Sequence, residues 1–143
     1  MADVTSVGVV GLGAMGSRIA LRLAEAGHEL VVWNRDQAKA APLLEVGATE
    51  ARSPADVTQQ VAAVIVMVRD PQALRDVTEG PAGIAAGATS VTTVVQMTTV
   101  EPAAIARLES LLPPGTGLLD APVLGSLAGA TAPVGLLFDG GTS

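Results

Sequence analysis

A chain of 143 residues with 49% hydrophobic and 15% charged residues has the size and apolar content of one soluble domain. It has no Cys and no Tyr, its one His is His28 and its one Lys is Lys39, which excludes a thiol nucleophile, a disulfide framework, a Cys-based zinc site and any mechanism needing a Tyr acid or paired His ligands. Eight basic against 14 acidic residues give a formal charge of −6 without a basic run, which argues against nucleic-acid binding.

The two aromatic residues are Trp33 and Phe138, so the core is expected to be aliphatic. No apolar run reaches the ~18 residues of a membrane span, and no basic-then-apolar leader opens the sequence. A cytoplasmic protein with no membrane contact is the expectation.

In chain order, Ser6 to Val10 is a short Val-rich run with both faces apolar, which predicts a buried strand. Gly11-Leu12-Gly13-Ala14-Met15-Gly16 follows. Ile19, Leu23 and Ala26 then recur at helical spacing, with Gly27 as a C-terminal stop. Leu30 to Trp33 predicts a second strand. Strand, turn, helix and strand span about 28 residues, the size of one crossover unit.

The alternation continues. Gln37 to Glu45 reads as helix in spite of Pro42. Ser53-Pro54 and Asp70-Pro71 each pair a capping side chain with Pro at the first helical position. Ala62 to Val68 predicts a third strand and Ser90 to Met97 a fourth. Between them, Pro81 to Gly87 predicts a Gly-rich connection with a short helical turn. Glu101-Pro102 opens a helix that Pro113-Pro114-Gly115 stops. Leu118-Leu119 starts a fifth strand, and Val134 to Phe138 is a last one. Strands alternating with helices predict an α/β, Rossmann-type doubly wound, mostly parallel sheet, with residues 1–143 as one dinucleotide-binding domain.

The glycine motif has a physical reason at each position. Gly11 permits the tight turn, Gly13 lets backbone approach a pyrophosphate, and Gly16 lets helix pack on strand. The helix N-terminus then offers free N–H groups to an anion. At the end of the second strand stand Trp33-Asn34-Arg35-Asp36. An NAD-preferring site usually places an acid there, to accept from the ribose 2′-hydroxyl. Arg35 instead suits a 2′-phosphate, with Asn34 as a second donor, so NADP (NADPH) is the expected cofactor. The alternative is a solvated Arg35 with Asp36 on the ribose.

These residues carry a resemblance. The sequence resembles the N-terminal NADP-binding domain of the β-hydroxyacid dehydrogenase family, which includes 3-hydroxyisobutyrate dehydrogenases and glyoxylate/succinic semialdehyde reductases. Imine reductases are related. Val7 to Gly16, Gly27-His28 and Val32 to Arg35 match its cofactor motifs. Val66 to Val77 resembles the segment after the third strand, with Arg69 where Pro is common. Met97 to Pro102 resembles an STxxP loop, with Thr98 for Ser. Asp120 to Ser126 with Gly129-Ala130 resembles the DAPVSGG…GA segment, with Leu124 and Ser126 as departures.

The resemblance implies that Gly11, Leu12, Gly13, Ala14, Met15 and Gly16 hold the pyrophosphate and that Asn34 and Arg35 hold the 2′-phosphate. It implies that Met67, Val68 and Arg69 line the adenosine side. Thr98 would touch cofactor and substrate, and Val123, Gly125 and Ser126 the substrate. Each has a plainer reading: Met15 and Met67 as core fillers, Thr98 as a helix cap, Pro122 to Gly125 as a strand and turn.

The implied activity is reduction of a small aldehyde or keto acid to a hydroxy acid by hydride transfer. An imine reductase domain and a non-catalytic dinucleotide-binding module are the alternatives; the absence of Tyr excludes a short-chain dehydrogenase. The family's general-acid Lys and all-helical domain have no counterpart in this chain. Lys39 and His28 are badly placed to substitute, and no metal site is expected. The chain alone is therefore expected to be inactive, and to self-associate or pair with a helical partner domain.

Overall fold

The computed structural model describes residues 6–121. Six strands form one sheet: β1 (Ser6–Val10), β2 (Glu29–Trp33), β3 (Thr49–Glu50), β4 (Ala63–Val66), β5 (Thr93–Gln96) and β6 (Gly117–Asp120). Their order is β3-β2-β1-β4-β5-β6, and every pairing is parallel. The helices are α1 (Ala14–Glu25), α2 (Ala41–Leu44), α3 (Pro54–Gln60), α4 (Pro71–Thr78), α5 (Ile84–Gly87) and α6 (Pro102–Leu111). This is the Rossmann-type α/β architecture expected from the alternation of elements. The strand order reverses between β1 and β4, which opens a crevice at their carboxyl ends.

Continuous apolar strands are buried on both faces, and side chains alternate between two cores. Val7, Val9, Leu30, Val32, Ile65 and Val95 pack with Ile19, Ala20 and Leu23 of α1 and Leu43 of α2. Val10, Val31, Val64, Val66 and Val94 pack with Val57 of α3, Leu74 and Val77 of α4 and Ile84 of α5. Gly8 stands on the second face, where a Cβ would overlap Val57 Cγ1, so α3 can lie close over β1.

Both expected caps form. Ser53 Oγ accepts from Asp56 N–H at 3.0 Å, and Asp70 Oδ1 accepts from Ala73 N–H at 2.8 Å. Gly27, at φ 94°, ends α1 in the left-handed region where Gly is favoured.

Three details differ from the sequence reading. The helix expected from Gln37 to Glu45 is a 3₁₀ turn, Gln37–Ala40, followed by the single turn α2 with Pro42 in its first turn. Asp36 starts the 3₁₀ turn by accepting from Ala38 N–H at 3.1 Å. The strands after β3 are shorter than the apolar runs suggest, because Met67 and Val68 have already left the sheet to line the crevice and Met97 stands beyond the end of β5, buried in the first core. The two-residue strand β3 was not expected. It pairs with Val31 and Val32, which shifts the ordinal of each later strand by one. Val134 to Phe138 lies outside the described residues.

Candidate cofactor site

The turn between β1 and α1 is built from backbone. Gly11 N–H continues the ladder to Trp33 O at 3.0 Å, and Met67 N–H reaches Val10 O at 3.0 Å. Gly11 has φ 104°, and a Cβ there would overlap the Met67 carbonyl. A Cβ on Gly16 would overlap the Gly11 carbonyl oxygen. Both glycines are required by the protein itself. Gly13 is different: a Cβ there meets nothing within 4 Å. Its bare backbone faces open space at the N-cap of α1. No side chain caps that helix and no acid occupies its first turn. The free N–H groups and positive end of the dipole therefore face the crevice, which is the arrangement a pyrophosphate needs.

The crevice is a cleft of about 1060 Å3 lined by residues 11–16, Trp33, Asn34, Arg35, Asp36, Lys39, Met67, Val68, Arg69 and one face of α4. All six expected glycine-turn residues, the two expected just after β2 and the three expected just after β4 thus converge on one site. Leu12 and Asn34 do so in a specific way. Asn34 Oδ1 accepts from Leu12 N–H at 2.8 Å, and Asn34 Nδ2 donates to Asp36 O at 2.9 Å. Asn34 ties the glycine turn to the end of β2, so the Leu12 amide is already taken.

Charge in the cleft is mixed. Arg35, Lys39 and Arg69 bring positive charge, Asp36 and Asp76 negative. Arg69 Nε is 3.7 Å from Asp70 Oδ2. Among the described residues, the side chains of Arg35 and Lys39 have no ion-pair partner. Two cations without ion-pair partners thus stand on the β2 side of the cleft, among residues that include Asp36 and Asp76.

Thr98 does not line the cleft. It is buried, at 2% exposure, and its Oγ1 accepts from Val68 N–H at 3.0 Å. It is not the cap of α6 either, because Glu101 holds that position. Val123, Gly125 and Ser126 lie outside the described residues. His28 precedes β2, at the end of the sheet away from the cleft. Among the described residues no cluster of His, Asp or Glu could hold a metal, and no helix is long and apolar enough to cross a membrane.

Lys39 and the α4 residues Ala73, Asp76 and Val77 line the cleft but were not singled out as site residues. A signal existed for both. Lys39 stands three residues after the capping Asp36, and Ala73, Asp76 and Val77 have the i, i+3, i+4 spacing of one helical face.

Comparison with known proteins agrees with this geometry. Residues 6–143 match the family described as the NAD binding domain of 6-phosphogluconate dehydrogenase. The cytokine-like nuclear factor N-PAC of Danio rerio is 37% identical over 121 residues, 84% of this chain and 26% of that protein. The chloroplastic glyoxylate/succinic semialdehyde reductase 2 of Arabidopsis thaliana is 37% identical over 122 residues, 85% of this chain and 34% of that protein. Among solved structures, Psf3 in complex with NADP+ and 2-OPP superposes with a TM-score of 0.79 at 27% identity, over 85% of this chain and 44% of that one. The chain thus spans about a quarter to a third of these curated relatives and under half of the solved neighbour. The strand–glycine turn–helix unit, the reversal of strand order at the cleft and the family match agree: the chain belongs to the NAD(P)-binding Rossmann domains of the 6-phosphogluconate dehydrogenase type.

Proposed function

We propose that this chain is the NADPH-binding part of an oxidoreductase that reduces a small aldehyde or keto acid to a hydroxy acid. One observation carries the cofactor preference: Arg35 and Lys39 flank the end of β2 without acidic partners, while the nearest acid, Asp36, is engaged in starting the 3₁₀ turn. Asp36 thus has one carboxylate oxygen committed to the backbone, and the two cations favour a 2′-phosphate. The N–H group of Asn34 not bonded to Asp36 O is available as a further donor.

The residues present fit a dinucleotide. Gly13 leaves room for a pyrophosphate, the uncapped N-terminus of α1 faces it, and Met67, Val68 and Arg69 form the opposite wall. When bound, the nicotinamide supplies the hydride. This chain's residues bind and orient the cofactor, and the proton for the carbonyl oxygen comes from outside the described residues. The Arabidopsis reductase supports the carbonyl substrate class, through its 37% identity over 122 residues, 85% of this chain. A second reading, a dinucleotide-binding module without chemistry, is favoured by the similarity to N-PAC, whose name denotes a nuclear factor rather than an enzyme.

Calorimetric titration with NADPH and NADH tests the cofactor reading; assays with glyoxylate, succinic semialdehyde and a cyclic imine, with the chain joined to a family helical domain that carries the general-acid Lys, test the substrate class and separate a reductase from a non-catalytic module. Tighter NADPH binding is expected, with no turnover by the chain alone. Reduction of the imine in preference to both aldehydes would overturn the substrate class. Arg35→Ala is expected to weaken NADPH roughly tenfold to a hundredfold, the size of a lost charge-assisted contact, and to leave NADH nearly unchanged. Equal losses for the two cofactors would remove the case for a 2′-phosphate site.

A further inference from the structure

The carboxyl end of β5 carries an amide where the sheet otherwise buries aliphatic side chains. Gln96 is 0% exposed and stands in register with Val66 on β4 and Asp120 on β6. A Leu would fill such a position with no polar atoms to satisfy, so a buried amide there calls for partners. Gln96 Oε1 accepts from Thr98 N–H at 2.6 Å. Its Nε2 donates to Thr98 O at 2.8 Å and to Asp120 Oδ1 at 3.2 Å. One side chain thereby grips both backbone polar groups of Thr98 and reaches the end of β6. The Thr98 hydroxyl in turn accepts from Val68 N–H at 3.0 Å, and Val68 is part of the cleft wall. The bonds run without a break from β6, through Gln96 and Thr98, to the surface a cofactor would meet.

We propose that Gln96 is a positioning residue, which fixes the Thr98 hydroxyl and through it the Val68 wall, so that the cleft is preformed for NADPH in fixed register with the end of β6. This rests on the reading of the cleft as an NADPH site. A free Val68 N–H would let the loop after β4 sample other conformations, and the cofactor would have to order it on binding.

The whole chain serves for the test, with two readouts. Hydrogen exchange at the Val68 amide, without ligand, reports on the wall; NADPH titration, followed by quenching of the single Trp33, reports on the cleft. Gln96→Met removes all three side-chain bonds at similar volume. Thr98→Val removes the acceptor for Val68, and Thr98→Ser keeps it. Gln96→Met and Thr98→Val are each expected to speed Val68 exchange and to raise the NADPH Kd roughly three- to tenfold, the size of one buried hydrogen bond. The double variant should be no worse than the worse single one, because both act on one link. Thr98→Ser should restore wild-type exchange at Val68.

If Gln96→Met does not fold, Asp120→Ala takes its place: Asp120 is exposed, the change cuts the Gln96 bond to β6 without burying a charge, and it should shift Val68 exchange in the same direction. Additive losses in the double variant, unchanged Val68 exchange in Gln96→Met or in the Asp120→Ala that replaces it, or unchanged NADPH affinity despite faster exchange would each overturn the proposal. A wild-type chain that binds no NADPH would overturn the cofactor reading, while faster Val68 exchange in Gln96→Met would still uphold the link from Gln96 through Thr98. The two failures are therefore distinct.

Discussion

The two walls of the cleft are held by different means. On the β1–β2 side the chain is fixed mainly by backbone: Gly11 continues the ladder to Trp33, Gly16 presses against the Gly11 carbonyl, and the side chains of Asn34 and Ser17 tie Leu12 to the end of β2 and to α1. On the β4–β5–β6 side the backbone ladder also continues, Met97 N–H to Val66 O and Ala121 N–H to Gln96 O at 2.8 Å each, but buried side chains are added to it: Thr98 and Gln96 bond across 30 residues to Val68 and 24 residues to Asp120. A backbone-built wall leaves its N–H groups and bare Cα atoms open to a ligand. A side-chain-built wall spends its polar groups internally and presents a shaped surface. The first suits an anion such as pyrophosphate, and the second suits the flatter parts of a dinucleotide.

The largest expected effect breaks the backbone wall. Gly16→Ala puts a Cβ against a backbone oxygen that cannot swing aside, so it should cost about 1–3 kcal/mol of stability in urea melts and abolish NADPH binding. Gly13→Ala separates fold from ligand. Its Cβ meets nothing within 4 Å and its φ of −70° suits any residue, so stability should change by less than about 1 kcal/mol. NADPH affinity should nevertheless fall at least about tenfold, because the new methyl stands where the pyrophosphate approaches. Wild-type affinity in Gly13→Ala would show that no ligand comes close to this backbone.

A smaller change sharpens the comparison at Asn34, where the walls' rules mix. Asn34→Asp keeps an acceptor for Leu12 N–H and loses the donor to Asp36 O, so a stability loss of about 0.5–1.5 kcal/mol is expected. It also places a carboxylate beside Arg35. The NADPH to NADH affinity ratio should fall by about tenfold in paired titrations, through like-charge repulsion of a 2′-phosphate. An unchanged ratio would mean that the 2′ substituent lies elsewhere.

The same contrast decides what could be read from the sequence. The β1–α1–β2 wall was legible because its determinants are local: three glycines at fixed spacing, between an apolar strand and an amphipathic helix. Ser53 and Asp70 were legible as caps for the same reason. The strand β3 was not, because Thr49 and Glu50 are two exposed residues without periodicity, and their pairing is set by Val31 and Val32. Gln96 was hidden inside a β-branched run, where nothing nearby announces a partner 24 residues away. Thr98 was recognised, but its place behind the wall rather than on it depends on the Val68 contact 30 residues off. Local spacing reveals a site built from one segment, and contact across strands reveals the rest.

The smallest expected effect tests whether distance from the walls matters. Arg107 on α6 pairs through two bonds, at 2.6 and 2.9 Å, with Glu79 just beyond α4. The hydrogen bond from Arg107 is the main reason that the Glu79 carboxyl titrates below its ordinary 4.5. A carboxyl lowered by folding contributes stability at pH above its unfolded value, and that contribution is lost as pH falls through the lowered one. Arg107→Ala should therefore lower Tm slightly at neutral pH and low salt, where the pair is charged. The gap to wild type should close as the pH drops below about 4.5 and shrink with added salt, since both side chains are partly exposed. NADPH affinity should not change, because the α4 residues that face the cleft are Ala73, Asp76 and Val77, and Glu79 and Arg107 are not among its lining. A loss of affinity in Arg107→Ala as large as that in Gln96→Met would show that the seating of α4 against α6 shapes the cleft as strongly as the side-chain wall does, and the division between the two walls would no longer hold.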